Sequence, residues 1–246
     1  MVTSVLILEG NSDALLKVGR SAALSFVRTF LAISPTTQLR IASPYSGSLP
    51  ADVFSDVDGV IFTGSATPWA VDGPEADPQR AAMEDAFGAG LPVWGSCNGM
   101  QLAAVVLGGE VGASEHGLEL GIAKEVVKTK AGECHAMMRD RNPSFSAPTA
   151  HRDVVTTLPT NAVVTAQNAH CPIQAFSYDH DGVDFWGTQY HPELNLADIA
   201  EYIQSPGIFH HQMLVDDLEL PEMDQRVAHR ARELTNWLIH LEQRSR

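Results

Sequence analysis

Three short, unbroken apolar runs and one weaker strand-like segment, most of them separated by stretches with helical spacing, constrain the first hundred residues more than any other feature. Val5-Leu6-Ile7-Leu8 stops at Glu9-Gly10-Asn11, and Leu39-Arg40-Ile41-Ala42 leads into a Ser/Pro/Gly-rich turn. Val60-Ile61-Phe62-Thr63 runs into Gly64-Ser65, and Leu91-Pro92-Val93-Trp94 into Gly95-Ser96. Continuous apolar runs of this length read as strands buried on both faces, the situation of strands in a parallel sheet. Between them, apolar residues recur at helical spacing over 14–31, and 78–87 opens with Pro78, where a missing N–H does no harm. Residues 101–107 form a further helix. Strand and helix in alternation predict an α/β fold: a mostly parallel, doubly wound sheet with helices on both faces, flavodoxin-like.

The second half changes character. Segments 121–127, 154–158, 162–166, 174–178 and 183–187 are strand-like with little helix between them, which predicts antiparallel strands added to the parallel sheet. A short helix over 197–203 stops at Ser205-Pro206-Gly207, and Val227, Ala231, Leu234, Trp237, Leu238 and Leu241 form one apolar stripe of a final helix. With 246 residues the chain suits one sizeable α/β domain, 1–204, and a C-terminal helical extension, 205–246, packed on that domain.

A formal charge of −14 opposes a nucleic-acid or anionic-membrane surface. Cys97, Cys134 and Cys171 are widely spaced, without a C-x-x-C pair, so neither a disulfide framework nor a zinc site is expected; no apolar run reaches membrane-spanning length. A cytoplasmic protein that binds no metal is the expectation.

Cys97 lies between the last of these apolar runs and a helix, in Gly95-Ser96-Cys97-Asn98-Gly99. This G-x-C-x-G pattern is that of a nucleophile elbow, a sharp strand-to-helix turn with the nucleophile at its tip and the helix N-terminus favouring a thiolate. By itself it is equally compatible with a small buried residue at a glycine turn. A nucleophile needs a base, and among ten histidines His191 stands out: it follows a strand-like run and precedes Pro192-Glu193, so a carboxylate could orient the ring. The alternative is an ordinary His and Glu in an exposed loop.

Gly95-Ser96-Cys97-Asn98-Gly99-Met100-Gln101 together with Gln189-Tyr190-His191-Pro192-Glu193 resembles the class I glutamine amidotransferase family, whose motifs these are. The similarity spans roughly 2–203. It implies a Cys97, His191, Glu193 triad, an oxyanion hole from the backbone N–H groups of Gly64 or Ser65 and of Asn98, and substrate contacts at Gln101, Ala150 and His151. Two departures stand out: Gly64-Ser65-Ala66 where the family has G-G-P, and Ala150 where it has serine. The implied activity is hydrolysis of the glutamine side-chain amide through a γ-glutamyl thioester, without a cofactor, the ammonia passing to a separate synthetase. A hydrolase of γ-glutamyl amides of larger amines is the alternative, and a non-catalytic regulator of the same fold a third.

Overall fold

The computed structural model describes residues 2–204 and 226–244. A nine-stranded sheet forms the centre, ordered β2-β1-β3-β4-β11-β10-β9-β6-β7. Its parallel part consists of β2 (Gln38–Ala42), β1 (Ser4–Leu8), β3 (Gly59–Phe62), β4 (Val93–Ser96) and β11 (Val183–Thr188). From β11 outward the neighbours are antiparallel: β10 (Ala175–His180), β9 (Val163–Gln167), β6 (Glu119–Lys128) and β7 (Ser144–His151). The mixed sheet follows the expected pattern of parallel strands with antiparallel ones added, except that β11, expected among the antiparallel strands, pairs parallel with β4 and antiparallel with β10.

Side-chain alternation in the parallel strands divides the core in two. Val5, Ile7, Ile61 and Trp94 face α2 (Ala23–Ile33) and α8 (Arg232–Arg244), where they meet Phe26, Phe30, Trp237 and Leu241. Leu6, Leu8, Val60, Phe62 and Val93 face α3 (Asp77–Gly88) and α4 (Asn98–Val106), against Met83, Ala86 and Met100. The apolar stripe of the C-terminal helix is therefore core, with the Trp94 and Trp237 rings edge to face at 6.4 Å.

Two expectations need correction, and one strand carries no sequence signal. The single helix over 14–31 is two, α1 (Asp13–Lys17) and α2, broken at Gly19 with φ +79. The cause is remote: the buried Glu9 carboxylate at the end of β1 accepts the N–H groups of Ala22 and Ala23 and the Ser21 hydroxyl, starting α2 afresh. Segment 154–158 does not join the main sheet; it lies in β8 (Asp153–Thr157), paired antiparallel with β5 (Glu110–Ala113) in a separate two-stranded sheet. Strand β7 has no obvious apolar alternation and contains Pro148, which is tolerated because β7 is the sheet edge.

The remaining helices are α5 (Lys130–Cys134), α6 (Leu196–Gln204) and α7 (Val227–Arg230). Much of the predicted extension, 205–225, lies outside the described residues. Among the described residues no helix is long and apolar enough to cross a membrane.

Candidate active site

The helix after β4 starts earlier than its apolar spacing indicates, at Asn98, and makes Cys97 its N-terminal cap residue. The backbone there is strained: Cys97 has φ +49 and ψ −105, a conformation that residues with a Cβ seldom adopt and that persists only when its surroundings enforce it. Two backbone bonds do so, from the Cys97 N–H to the Thr188 carbonyl at 2.7 Å and from the Gln101 N–H to the Cys97 carbonyl at 3.0 Å. Close packing does the rest. A Cβ on Gly99 would lie 2.2 Å from the Phe62 carbonyl oxygen, so the first turn of α4 can press on the end of β3 only without a side chain. The Asn98 N–H thereby stands at the helix terminus, among the donors that lack an intrahelical acceptor.

Strand register brings the histidine alongside. β11 runs parallel to β4 with Thr188 opposite Ser96, so the chain leaves both strands at the same edge of the sheet, carrying Cys97 from one and His191 from the other. His191 anchors its N–H on the Pro148 carbonyl at 2.8 Å, and its Nδ1 is 2.7 Å from Glu193 Oε1. The second carboxylate oxygen accepts the Ser96 hydroxyl at 3.1 Å, and Ser96 accepts the Trp94 indole N–H at 3.0 Å. Both oxygens of a buried carboxylate are thus occupied, and His191 turns Nε2 away from Glu193. Burial pulls the imidazole pKa down, but the Glu193 charge and the hydrogen-bonded Cys97 side chain outweigh it and hold the pKa up, at about 10. At neutral pH the ring keeps its proton, the state a leaving amine needs beside it.

Cys97 and His191 open onto a cavity of ≈ 260 Å³, bounded on one side by Gly64, Ser65 and Ala150. A Cβ on Gly64 would sit 2.8 Å from His191 Cε1 and 3.7 Å from Cys97 Cβ, so glycine lets this loop close directly over the pair. The loop is tied to the end of β1: Ser65 Oγ donates to the Gly10 carbonyl at 2.7 Å and the Ala66 N–H to Asn11 Oδ1 at 2.8 Å. Serine in place of the family's second glycine therefore supplies a tether through its hydroxyl.

The predicted substrate contacts divide. Ala150 lines the cavity, its carbonyl 3.9 Å from Cys97 Sγ. Gln101 and His151 do not line it. Gln101 Nε2 donates to the Asp153 carbonyl at 2.7 Å and to Gln189 Oε1 at 3.1 Å, while His151 Nε2 is 2.8 Å from Glu119 Oε2. Burial raises the Glu119 pKa, but bonds from His151, Asn168 and Gln174 outweigh it and leave the carboxyl below its ordinary value. Gln189, to which the sequence motif assigns no role, has its Nε2 3.4 Å from Cys97 Sγ. Its place two residues before His191 was the available signal.

The family model for class I glutamine amidotransferases matches residues 36–205, a span that contains Cys97, His191 and Glu193. The chain belongs to the class I glutamine amidotransferase family. A γ-glutamyl-L-1-hydroxyisopropylamide hydrolase from a Pseudomonas species is 34% identical over 222 residues, covering 87% of this chain and 74% of that protein. The glutamine-hydrolysing GMP synthase of Aeromonas hydrophila is 35% identical over 147 residues, 55% of this chain but only 26% of the synthase. The chain thus aligns with about a quarter of that longer protein. Amidotransferase structures from Thermotoga maritima (TM-score 0.66, 18% identity, covering 99% of this chain and 98% of that one) and Methylobacillus flagellatus (TM-score 0.65, 20%, covering 99% and 93%) share its fold. Within the amidotransferase family match, α7 and α8 are not included, although α8 completes the core of this chain.

Proposed function

We propose that this chain hydrolyses the side-chain amide of glutamine, with Cys97 as nucleophile, His191 as acid and base, and Glu193 as the group that orients His191. One observation carries the reading: a cysteine held in strained backbone at a helix N-terminus, facing a cavity, beside a histidine whose other nitrogen is 2.7 Å from a buried carboxylate. Cys97 Sγ, whose proton is carried by His191 Nε2 in a thiolate–imidazolium pair, attacks the amide carbon, and the C–N bond breaks as Nε2 gives that proton to the leaving nitrogen. The γ-glutamyl thioester is then attacked by water, whose proton passes to His191, and glutamate leaves as Sγ recovers the bonding pair. The tetrahedral oxyanion is received by backbone N–H groups of Gly64 or Ser65 and of Asn98; loss of such a donor costs about 2.7–4 kcal/mol of barrier. The ammonia goes to a separate acceptor synthetase.

A second reading keeps the chemistry and enlarges the leaving group. His191 must stand beside the departing nitrogen, and the same cavity is also lined by Leu24 and Arg28 of α2, Asp198 and Tyr202 of α6, and Leu194, more wall than a glutamine side-chain amide alone requires. Ammonia needs no such space, whereas the amine of a larger γ-glutamyl amide would fill it. The name of the Pseudomonas relative describes a hydrolase of that class. Glutamate release from glutamine and from a panel of γ-glutamyl alkylamides and hydroxyalkylamides tests both. A higher kcat/KM on glutamine supports the amidotransferase half-reaction, a higher value on a substituted amide supports the second reading, and no glutamate from any overturns both.

A further inference from the structure

The His-Pro-Glu turn is held from the C-terminal helices, by residues outside the span of the family match. Arg230, the last residue of α7, donates through Nη1 to the Pro192 carbonyl at 2.7 Å and the Leu194 carbonyl at 3.0 Å. The carbonyl between them, that of Glu193, accepts the Thr29 hydroxyl from α2 at 3.0 Å, and Arg230 Nη2 reaches the same Thr29 oxygen at 3.4 Å. Three successive carbonyls around the acidic residue of the triad are therefore held by one guanidinium and one hydroxyl. On the other side of His191, the Tyr190 hydroxyl donates to Glu233 at the start of α8 at 2.6 Å.

We infer that Arg230 is a positioning residue for the active site: its guanidinium fork fixes the turn that sets Glu193 against His191. The inference rests on the triad reading above. Packing alone does not account for an arginine here. The side chain is buried, and burial draws its pKa down while the Glu193 and Asp198 carboxylates push it back up and the Arg28 charge draws it further down. Taking a guanidinium out of water is costly, and an apolar chain of similar length would fill the space without that cost. What the apolar chain lacks is the planar fork, which reaches two carbonyls and a hydroxyl at once. A lysine ammonium, a compact point charge on a flexible stem, meets fewer of these acceptors.

The test compares Arg230→Met, Arg230→Lys and Arg244→Met, the last removing a cation on α8 that pairs with Asp184. For each purified full-length variant, at a temperature where melting curves show it folded, kcat and KM for glutamate release are measured across pH. The rate of Cys97 alkylation by iodoacetamide is measured over the same range. Displacement of reacting groups by about an ångström can cost roughly 100-fold in rate. Arg230→Met is therefore expected to lose about 10- to 100-fold in kcat, with KM changed less than about twofold. As His191 loses its fixed contact with Glu193, the high-pH limb of kcat should move to lower pH, and the rise of the alkylation rate with pH, which follows formation of the Cys97 thiolate beside the imidazolium, should move to higher pH.

Arg230→Lys should fall between Arg230→Met and wild type, and Arg244→Met should match wild type. An unchanged kcat and unchanged pH profile in folded Arg230→Met would overturn the inference. So would a high-pH kcat limb that moves to higher pH, the direction expected if the guanidinium acted only by its charge. Should Arg230→Met not fold, Thr29→Val removes the hydroxyl bridge to the same turn and is read in the same way. If wild type cleaves no γ-glutamyl amide, the proposed function fails, while the alkylation profiles still decide the role of Arg230.

Discussion

The two halves of the site are supported by different means. The Cys97 elbow is supported by its own helix and the ends of two strands: Gly99 lets the helix close on Phe62 of β3, the Cys97 carbonyl accepts the first bond of α4, and the Cys97 N–H donates to the Thr188 carbonyl of β11. Within itself the His191 turn has the His191–Glu193 side-chain contact at 2.7 Å and the bond from the Leu194 N–H to the His191 carbonyl at 3.2 Å. It depends on Pro148 from β7, Thr29 from α2, Arg230 from α7 and Glu233 from α8. The nucleophile is thus placed by its own helix and the two adjacent strands, whereas its acid–base partner is placed by elements drawn from across the domain. Disturbing the elbow should act on chemistry or on local packing, and disturbing a turn anchor should loosen the site through remote contacts.

The largest effect expected is that of Cys97→Ser, which keeps the size of the side chain and removes the thiolate. Glutamate release should fall about a thousandfold or more with little change in melting temperature. Retained activity would break the assignment of Cys97. Next comes Glu233→Gln, on the turn side. Arg141 Nε lies 3.1 Å from the Glu233 carboxylate that also receives Tyr190, and both charges are buried, so neutralising one strands the other. A loss of about 3 kcal/mol or more in denaturant unfolding is expected. Gly99→Ala should cost about 3 kcal/mol by the same measurement, since its methyl meets backbone that cannot swing aside. A near-neutral result would show that the elbow is less tightly packed than the turn.

Glu193→Gln has the smallest effect of the four, about 10- to 100-fold in kcat, and a directional signature in pH. The Glu193 charge favours the imidazolium, so its loss lowers the His191 pKa from about 10 and moves the high-pH limb of kcat downward. A limb that stays in place would mean that Glu193 holds the ring by hydrogen bonding alone.

Legibility in the sequence followed the same division. The alternation of apolar runs and helical spacing is local, and it read out the parallel strands and the mixed sheet. The G-x-C-x-G glycines are local too, and they marked Cys97. Gln101 was read as a substrate contact because family position says nothing of its neighbours: Asp153 and Gln189, remote in sequence, engage its amide. The break between α1 and α2 is not legible because the Glu9 carboxylate that holds the start of the second helix comes from the residue after β1, before α1 in the chain. Arg230 and Thr29 carried no motif, since backbone carbonyls impose no residue pattern on the partner that binds them.

By itself the sequence determined which segments become buried strands and where a strand turns sharply into a helix around a cysteine, because spacing and glycine act over a few residues. Only the tertiary structure decided that β11 lies beside β4 in a register that brings His191 to Cys97, and that α7 and α8 return to grip the turn. Strand order and register come from burying two opposite faces of one sheet at once. That is a property of the whole chain, which no local stretch encodes.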